Sequence, residues 1–413
     1  MKNMKTLMTQ RDREMNFEQM LTRAGLLSLP YGREDDSSGG YGTAGDIVYT
    51  TNDGVDLNQL WAEAQAALAV WNAGRSKLVN LLTFDVENEI ESVPQVGEAT
   101  FELASEFGEP ESERIKLGYF QLGYDFQDYD RATRFTYRFL RDADSRQVAA
   151  INNAMMQADE RLVFKQVMAA IFDNRNRVAD IRNNPYNVYA LYNADGTVPP
   201  SYRGNTFTSS HSHYLVSGGA KIDSGDLEDA YEHIAEHGYS IENGTQIVCL
   251  MNRAQLKEVR KFRAGQTNNN SKVAEYDFIP GRGQPTQIID TPLGLLGSLP
   301  PETWNGLRVY GSYGDILLIE EPFIPDGYFL MFGTGGAGNL QNLVGFRQHK
   351  NAVYRGLRIM PGRDQRYPLI ESYYTRAFGT GIRQRAGAVV MQIKASGSYD
   401  IPEPYDRSKS VIA

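Results

Sequence analysis

The chain has 413 residues, 41% hydrophobic and 23% charged, with a formal net charge of -9. That length exceeds one typical hydrophobic core, so two lobes or one lobe with large excursions are expected, and the acidic balance excludes a protein whose main work is gripping phosphate backbones over a broad basic face. The single cysteine, Cys249, excludes an intramolecular disulfide, and no apolar run is long enough to span a bilayer as a helix.

Residues 1–52 open with a weak amphipathic stretch (Leu7, Met15, Met20, Leu21, Leu26) and turn to Gly, Ser and Asp between Tyr31 and Gly45. Such a composition cannot order itself alone; an arm that stays extended until it meets a neighbour fits it, and so, on these residues alone, does a disordered leader with no role. The start lacks a continuous apolar core, so a secretory signal is not expected and the chain reads as cytosolic when made. Residues 53–84 read as a helix with Leu57, Leu60, Trp61, Ala64, Leu68, Val70 and Trp71 spaced for burial, Gly74 as a break, and a second apolar piece at 78–84. The tryptophans read as packing anchors.

Residues 92–140 change period. Val93, Gln95 and Val96, then Phe101 and Leu103, then Ile115, Leu117, Tyr119, Tyr124, Phe126, Phe135, Tyr137 and Phe139 alternate around a Gly108-Glu109-Pro110 turn, as in a long two-way excursion of strands. Its charges segregate: Glu98, Glu102, Glu106, Glu109, Glu111 and Glu113 crowd the outgoing side and tip, and Arg131, Arg134, Arg138 and Arg141 line the return. A hairpin of this length is marginal in isolation and needs another surface to lie on.

The longest helix is expected at 142–172, capped by Asp144 with Gln147 three residues on, with Val148, Ile151, Met155, Ala158 and Leu162 on one face and Phe164, Val167, Met168 and Ile171 widening it. Residues 174–214 are irregular, with a turn at 193–196. A helix from Ser224 or Asp226, an apolar strand at 245–251 and a helix from Asn252 follow, then a flexible loop carrying Asn268, Asn269 and Asn270. Strands are expected at 286–289, 307–310, 316–319 and 328–332, within 343–360, and at 388–393. Helices alternating with strands make an α/β lobe of this stretch, so the chain as a whole is expected to be α+β.

Three patterns touch on chemistry. Gly333-Thr334-Gly335-Gly336-Ala337-Gly338 follows a strand but lacks the helix and the acidic residue a dinucleotide site needs, so it reads as a loop. His233-Ile234-Ala235-Glu236-His237 matches the spacing of inverted zincins without an identified third ligand, and reads as a solvated helix face. His211 and His213 could pinch a metal but sit among Ser, Thr and Tyr in a loop. No Ser-His-acid arrangement, Walker sequence or paired-cysteine spacing is present, and no catalytic, cofactor or metal residue is assigned. A metal-dependent hydrolase using His233 and His237 is the competing reading from another class.

The order of parts, a Gly-rich arm, a long acidic hairpin, a long helix, an α/β lobe and returning strands, resembles the major capsid proteins of tailed bacteriophages, whose fold is shared with encapsulin shells. Asp56-Leu57-Asn58-Gln59-Leu60-Trp61 and Ser76-Lys77-Leu78-Val79-Asn80-Leu81-Leu82-Thr83-Phe84 look like the version carried by actinobacterial phages. Val309-Tyr310 with Pro322-Phe323-Ile324-Pro325-Asp326-Gly327 looks like the strand and loop of the family's axial lobe, and Gly381-Ile382-Arg383-Gln384-Arg385 ahead of Ala388-Val389-Val390 resembles its closing strands. The resemblance implies an N-terminal arm (1–52), a peripheral-lobe helical segment (53–91), an extended loop (92–140), a peripheral lobe with its spine helix (141–215), an axial lobe (216–338), returning strands (339–395) and a tail (396–413). It implies a non-enzymatic subunit that forms hexamers and pentamers of an icosahedral shell around double-stranded DNA, with the encapsulin-like shell as alternative. Glu98, Glu102, Glu106, Glu109, Lys116, Arg131, Arg134 and Arg138 would make inter-subunit contacts. A separate scaffold protein, a portal and decoration proteins are the implied partners, with no cofactor, no membrane and no sequence-specific DNA contact. Its location would be the virion, after assembly in the host cytoplasm. Some relatives weld neighbours by an isopeptide bond; here Lys116 is the only lysine of the loop and no asparagine follows Asn351, so no weld is expected.

Overall fold

A computed structural model describes residues 50–73, 76–96, 117–282, 299–361 and 369–409. The arm, the hairpin tip and the strand expected at 286–289 lie outside these residues. The chain divides into two compact units, one of residues 1–67, 132–153 and 359–373, the other of 68–131, 154–358 and 374–413.

The larger unit is built on a seven-stranded sheet. Its strands run Tyr214–Val216, Ala388–Gln392, Tyr328–Thr334, Gln246–Met251, Ile316–Glu320, Gly311–Tyr313 and Phe278–Pro280 in spatial order. Strand alternation sends successive side chains to opposite faces, and both faces are covered. Ile247, Cys249, Met251, Phe329 and Met331 pack with Leu227, Ala230 and Ile234 of the Ser224–Ala235 helix and with Leu256 and Val259 of the Arg253–Val259 helix. Val248, Leu250, Leu330, Phe332 and Val390 turn the other way onto Val167–Phe172 and onto Leu78, Val79, Leu81 and Leu82. Cys249 is fully buried, which pushes its thiol pKa up, consistent with its reading as a small hydrophobe.

The Ser224–Ala235 helix starts where its cap puts it. Asp223 accepts from the Asp226 N–H and Asp226 accepts from the Asp223 N–H, a reciprocal capping box. The loop expected to be flexible is tied down at this point. The Asn268 amide meets the Ser224 backbone N–H and hydroxyl, Asn269 donates to the Ile222 carbonyl, and Asn270 donates to the Lys221 carbonyl and to Asp223.

The long helix runs Ser145–Phe172. Asp144 caps it by accepting from the Arg146 N–H, and Gln147 accepts from the Asp144 N–H, as the spacing predicts. Val148, Val167, Met168 and Ile171 are buried as the spacing predicts, but in the middle turns Met156, Asp159 and Val163 are buried where Met155, Ala158 and Leu162 were anticipated. Asp159 receives Arg376 at 2.5 Å and the Trp71 indole N–H at 3.2 Å, so Trp71 acts as a hydrogen-bond donor.

Two further expectations shift. The apolar piece at 78–84 divides into a helix, Lys77–Leu82, and a strand, Thr83–Val86, which pairs in parallel with Val344–Arg347. The excursion expected over 92–140 is shorter and begins earlier: Ile90–Val96 pairs antiparallel with Leu117–Gly123, and Gln127–Thr136 is a separate strand that pairs with Leu369–Ile382. The alternation does not continue through Phe139, because the Thr136 hydroxyl accepts from the Phe139 N–H and starts the helix Tyr137–Asp142.

The smaller unit has a small core of its own, Leu60, Leu140 and Val148, with Val55, Leu57, Phe135 and Phe139 packed against it. Asp53 accepts from the backbone N–H and hydroxyl of Ser145 and from Thr51, which holds its carboxyl below the usual range. The Thr133 and Ser372 hydroxyls meet at 2.6 Å in the same unit.

Candidate functional site

The ribbon of Ile90–Val96 and Leu117–Gly123 is rooted in packed residues. Leu122 and Tyr124 are buried with Phe84 and Val86, Ile90 packs on Ala179, Ile181 and Val188, and the Phe120 and Tyr189 rings lie 4.2 Å apart. The Tyr124 hydroxyl donates to Glu91 at 2.6 Å. One step outward, Tyr119 is 70% exposed. Glu98, Glu102, Glu106, Glu109 and Lys116 lie outside the described residues. Arg131, Arg134 and Arg138 are exposed, and among the described residues Arg134 pairs with Glu371 at 2.7 Å.

Next to the ribbon base, Arg385 organises an irregular segment. It is 3% exposed and donates to the carbonyls of Ala190 and Leu191, to Thr197 and to Asp195, the last at 2.7 Å. Its guanidinium lies 4.4 Å from the Tyr192 ring centroid and 4.7 Å from that of Tyr189. A planar five-donor group meets such a spread of acceptors where Lys would not. Sequence reading picked out Arg385 only as part of a closing-strand pattern; its role depends on contacts nearly 200 positions away.

The glycine-rich stretch is not arranged as a phosphate cradle. The Gly338 N–H donates to Asn80, Gly336 to the Thr334 hydroxyl and Gly333 to Gly387. Asn342, fully buried, accepts from Thr334 and donates to the carbonyls of Asn80, Thr83 and Gly336. Three of the N–H donors a phosphate would need are thus spent on the chain itself.

Four of the five histidines gather in one place, which sequence reading did not anticipate. The segment before the Tyr214–Val216 strand is closed by a bridge between Asn193 and Ser212, and the Tyr192 carbonyl accepts from the His213 N–H at 2.7 Å. This sets His211 and His213 facing His237, just beyond the end of the Ser224–Ala235 helix. Their Nε2 atoms are 2.9 Å (His211 to His237), 3.2 Å (His211 to His213) and 3.2 Å (His213 to His237) apart. His213 is fully buried, and its Nδ1 donates to the Ala388 carbonyl at 2.7 Å. His233 does not join them: its Nε2 donates to the Ser212 carbonyl at 2.9 Å, and its ring stacks on His211. The helix face is therefore half-buried rather than solvated, and His233 and His237 are not a joint ligand pair. Burial, then the neighbouring imidazoles, lowers His211 to about 4 and His237 to about 3, and brings His213 well below its usual value. The neutral, lone-pair-bearing imidazole is the form these surroundings favour. The legible signal was the His-x-His of 211 and 213; its third member stood 24 residues on, within a different motif.

No family model matches the chain, and no curated protein matches it. Among solved structures it is similar to that of Mycobacterium phage Patience, at 47% identity and a TM-score of 0.70, over 92% of this chain and 99% of that one. More distant likenesses are the capsid of a native GTA particle, at 11% identity and a TM-score of 0.43 over 78% of this chain and 92% of that one, and the SrpI encapsulin complex of Synechococcus elongatus, at 12% and 0.41 over 82% and 98%. The mixed helix-and-sheet fold is that of phage capsid subunits. The chain belongs to the major capsid proteins of actinobacterial phages. It is a structural subunit of the capsid shell, assembled with many copies of itself in the virion.

Proposed function

We propose that the chain forms the hexamers and pentamers of an icosahedral shell around packaged double-stranded DNA, and that the ribbon rising from Ile90 and Gly123 lies over a neighbouring subunit. The observation that carries this reading is the loss of cover along one face of the ribbon, from fully buried Leu122 to half-buried Phe120, while Tyr119 on the opposite face is 70% exposed. A two-stranded ribbon has no interior of its own, so its outer part gains a core only from another surface. The acidic residues Glu98, Glu102, Glu106 and Glu109, with Lys116, Arg131 and Arg138, would steer this docking and set register more than affinity. Arg134 is proposed to act together with Glu371, its partner in the chain.

The segment 53–91 and residues 141–215 would serve as the peripheral lobe, 216–338 as the axial lobe, 339–395 as strands returning to both, and 1–52 and 396–413 as arm and tail. Many weak contacts per subunit allow errors to anneal while summing to a lasting shell. The subunit has no catalytic role in this reading. Assembly takes place in the host cytoplasm with a separate scaffold protein and a portal, with decoration proteins as further partners, and the DNA is enclosed without sequence-specific contacts. Replacing residues 97–116 by a short Gly-Ser turn tests it. Folded protein by circular dichroism with no closed shells in negative-stain microscopy is the expected result; closed shells of ordinary size would overturn it.

A further inference from the structure

We propose that His211, His213 and His237 bind one divalent first-row transition metal ion, zinc foremost, through their Nε2 atoms. These three side chains form a group of potential metal ligands whose donor atoms lie within 4.8 Å of one another. The inference is independent of how the ribbon contacts its neighbour.

The first argument is proton counting. A neutral imidazole nitrogen carries either a proton or a lone pair, and a hydrogen bond needs one of each. Three nitrogens in mutual contact at 2.9, 3.2 and 3.2 Å cannot all be unlike their neighbours, so at least one contact sets proton against proton or lone pair against lone pair. The His213 Nδ1 proton is committed to the Ala388 carbonyl, which leaves its Nε2 as a bare lone pair at the centre of the group. A cation among three lone pairs satisfies all of them at once.

The second argument is dimension. Nitrogens bound at ~2.0–2.1 Å to a tetrahedral ion sit roughly 3.3 Å apart, close to the spacings found here. The third is the surround. A backbone carbonyl on the far nitrogen of a ligating histidine fixes tautomer and ring angle, as Ala388 does for His213. Phe207 stacks on His237 with ring centroids 4.0 Å apart, and Tyr192 lies parallel to it on its own account at 6.4 Å. An all-imidazole set suits zinc, copper or nickel over magnesium or calcium. Among the described residues no fourth His, Cys, Asp or Glu joins the group, so water completes the coordination. The ion would tie the segment ending at His213 to the end of the Ser224–Ala235 helix, which makes it a clamp within one subunit.

The test uses untagged full-length protein, purified without a metal column, stripped with a chelator and titrated separately with Zn2+ and Co2+. Expected are about one zinc per chain by elemental analysis, visible absorption of tetrahedral cobalt, and a rise in the thermal midpoint with zinc. His211→Ala and His237→Ala should each lose the cobalt bands and the thermal response, whereas His233→Gln should keep both. Wild-type protein that takes up no zinc at micromolar concentration overturns the proposal, even if the alanine variants fail to fold. So does binding that survives His211→Ala and is lost in His233→Gln, which would return the site to the helix pair.

Discussion

The seven-stranded sheet and the ribbon beside it are both β structure, and they differ in what they lean on. In Tyr328–Thr334 and Ala388–Gln392 every residue is buried, and Gln246–Met251 is nearly so, because helices cover one face and the end of the long helix covers the other. Full burial of each Val, Leu, Ile or Phe there is worth about 1.5–3 kcal/mol. Among the described residues of the ribbon the buried ones sit at its root, and the strand after it, Gln127–Thr136, buries a single residue, Thr133. One region completes its own core within the chain. The other, in the proposed function, is kept for assembly.

The comparison can be broken first at Arg385, where the sheet region holds the ribbon base. Arg385→Ala takes the charged donor from Asp195, which keeps Asn176 and Thr197, removes the side-chain donor to the Ala190 and Leu191 carbonyls and empties the space against the Tyr189 and Tyr192 rings, so a loss of about 3–5 kcal/mol, or failure to fold, is expected by denaturant titration. An intact variant with unchanged stability would mean that the ribbon base is not held by this side chain.

Gly379→Ala ranks next. A Cβ there would fall 1.3 Å from the Asp125 carbonyl oxygen, backbone that cannot swing aside, and a loss of about 3 kcal/mol is expected. The measurement is the unfolding midpoint of the variant against wild type, and a midpoint within error of wild type refutes it.

Asp226→Asn probes the sheet region from the helix that covers it. Burial first, and then the nearby acidic groups Asp223 and Asp229, raise the Asp226 carboxyl to about 7, against about 3.9 for an unfolded aspartate. Between those values the native state binds more protons than the unfolded state, so this group makes stability fall as pH rises from about 4 to about 7 and leaves it level above that. Asparagine keeps an acceptor for the Asp223 N–H without the charge. At pH 8 a gain of about 1–2 kcal/mol is expected, together with a flatter stability profile between pH 4 and 7. A variant less stable at pH 8 than at pH 4 would contradict the assignment.

The smallest effect on the isolated chain is expected at Tyr119, where the comparison becomes sharpest. Tyr119→Ser should change stability by about 0.5 kcal/mol or less, since the side chain is exposed. It should nonetheless lower the yield of shells, scored by sedimentation. Charge reversal at Glu102, Glu106 and Arg134 should act in the same sense, slowing assembly and altering its salt dependence. Unchanged assembly in both variants would remove the ribbon from the interface.

Local pattern alone made much of the chain legible. The long helix, its Asp144 and Gln147 start, the helix begun by Asn252, the apolar strand at Gln246–Met251 and the strand at Ala388–Gln392 follow from capping chemistry and hydrophobic period, which act over a few residues. The order of elements was enough for the family. The tertiary structure decided what depends on residues distant in sequence: the buried Asp159–Arg376 pair, the acceptors gathered by Arg385, and the union of a loop His-x-His with a histidine just past the end of a helix. Period and propensity record which face of an element is apolar. They hold no record of which polar groups, 24 or 217 positions apart, are brought within bonding distance when those faces close, and at these sites that meeting of polar groups sets the chemistry.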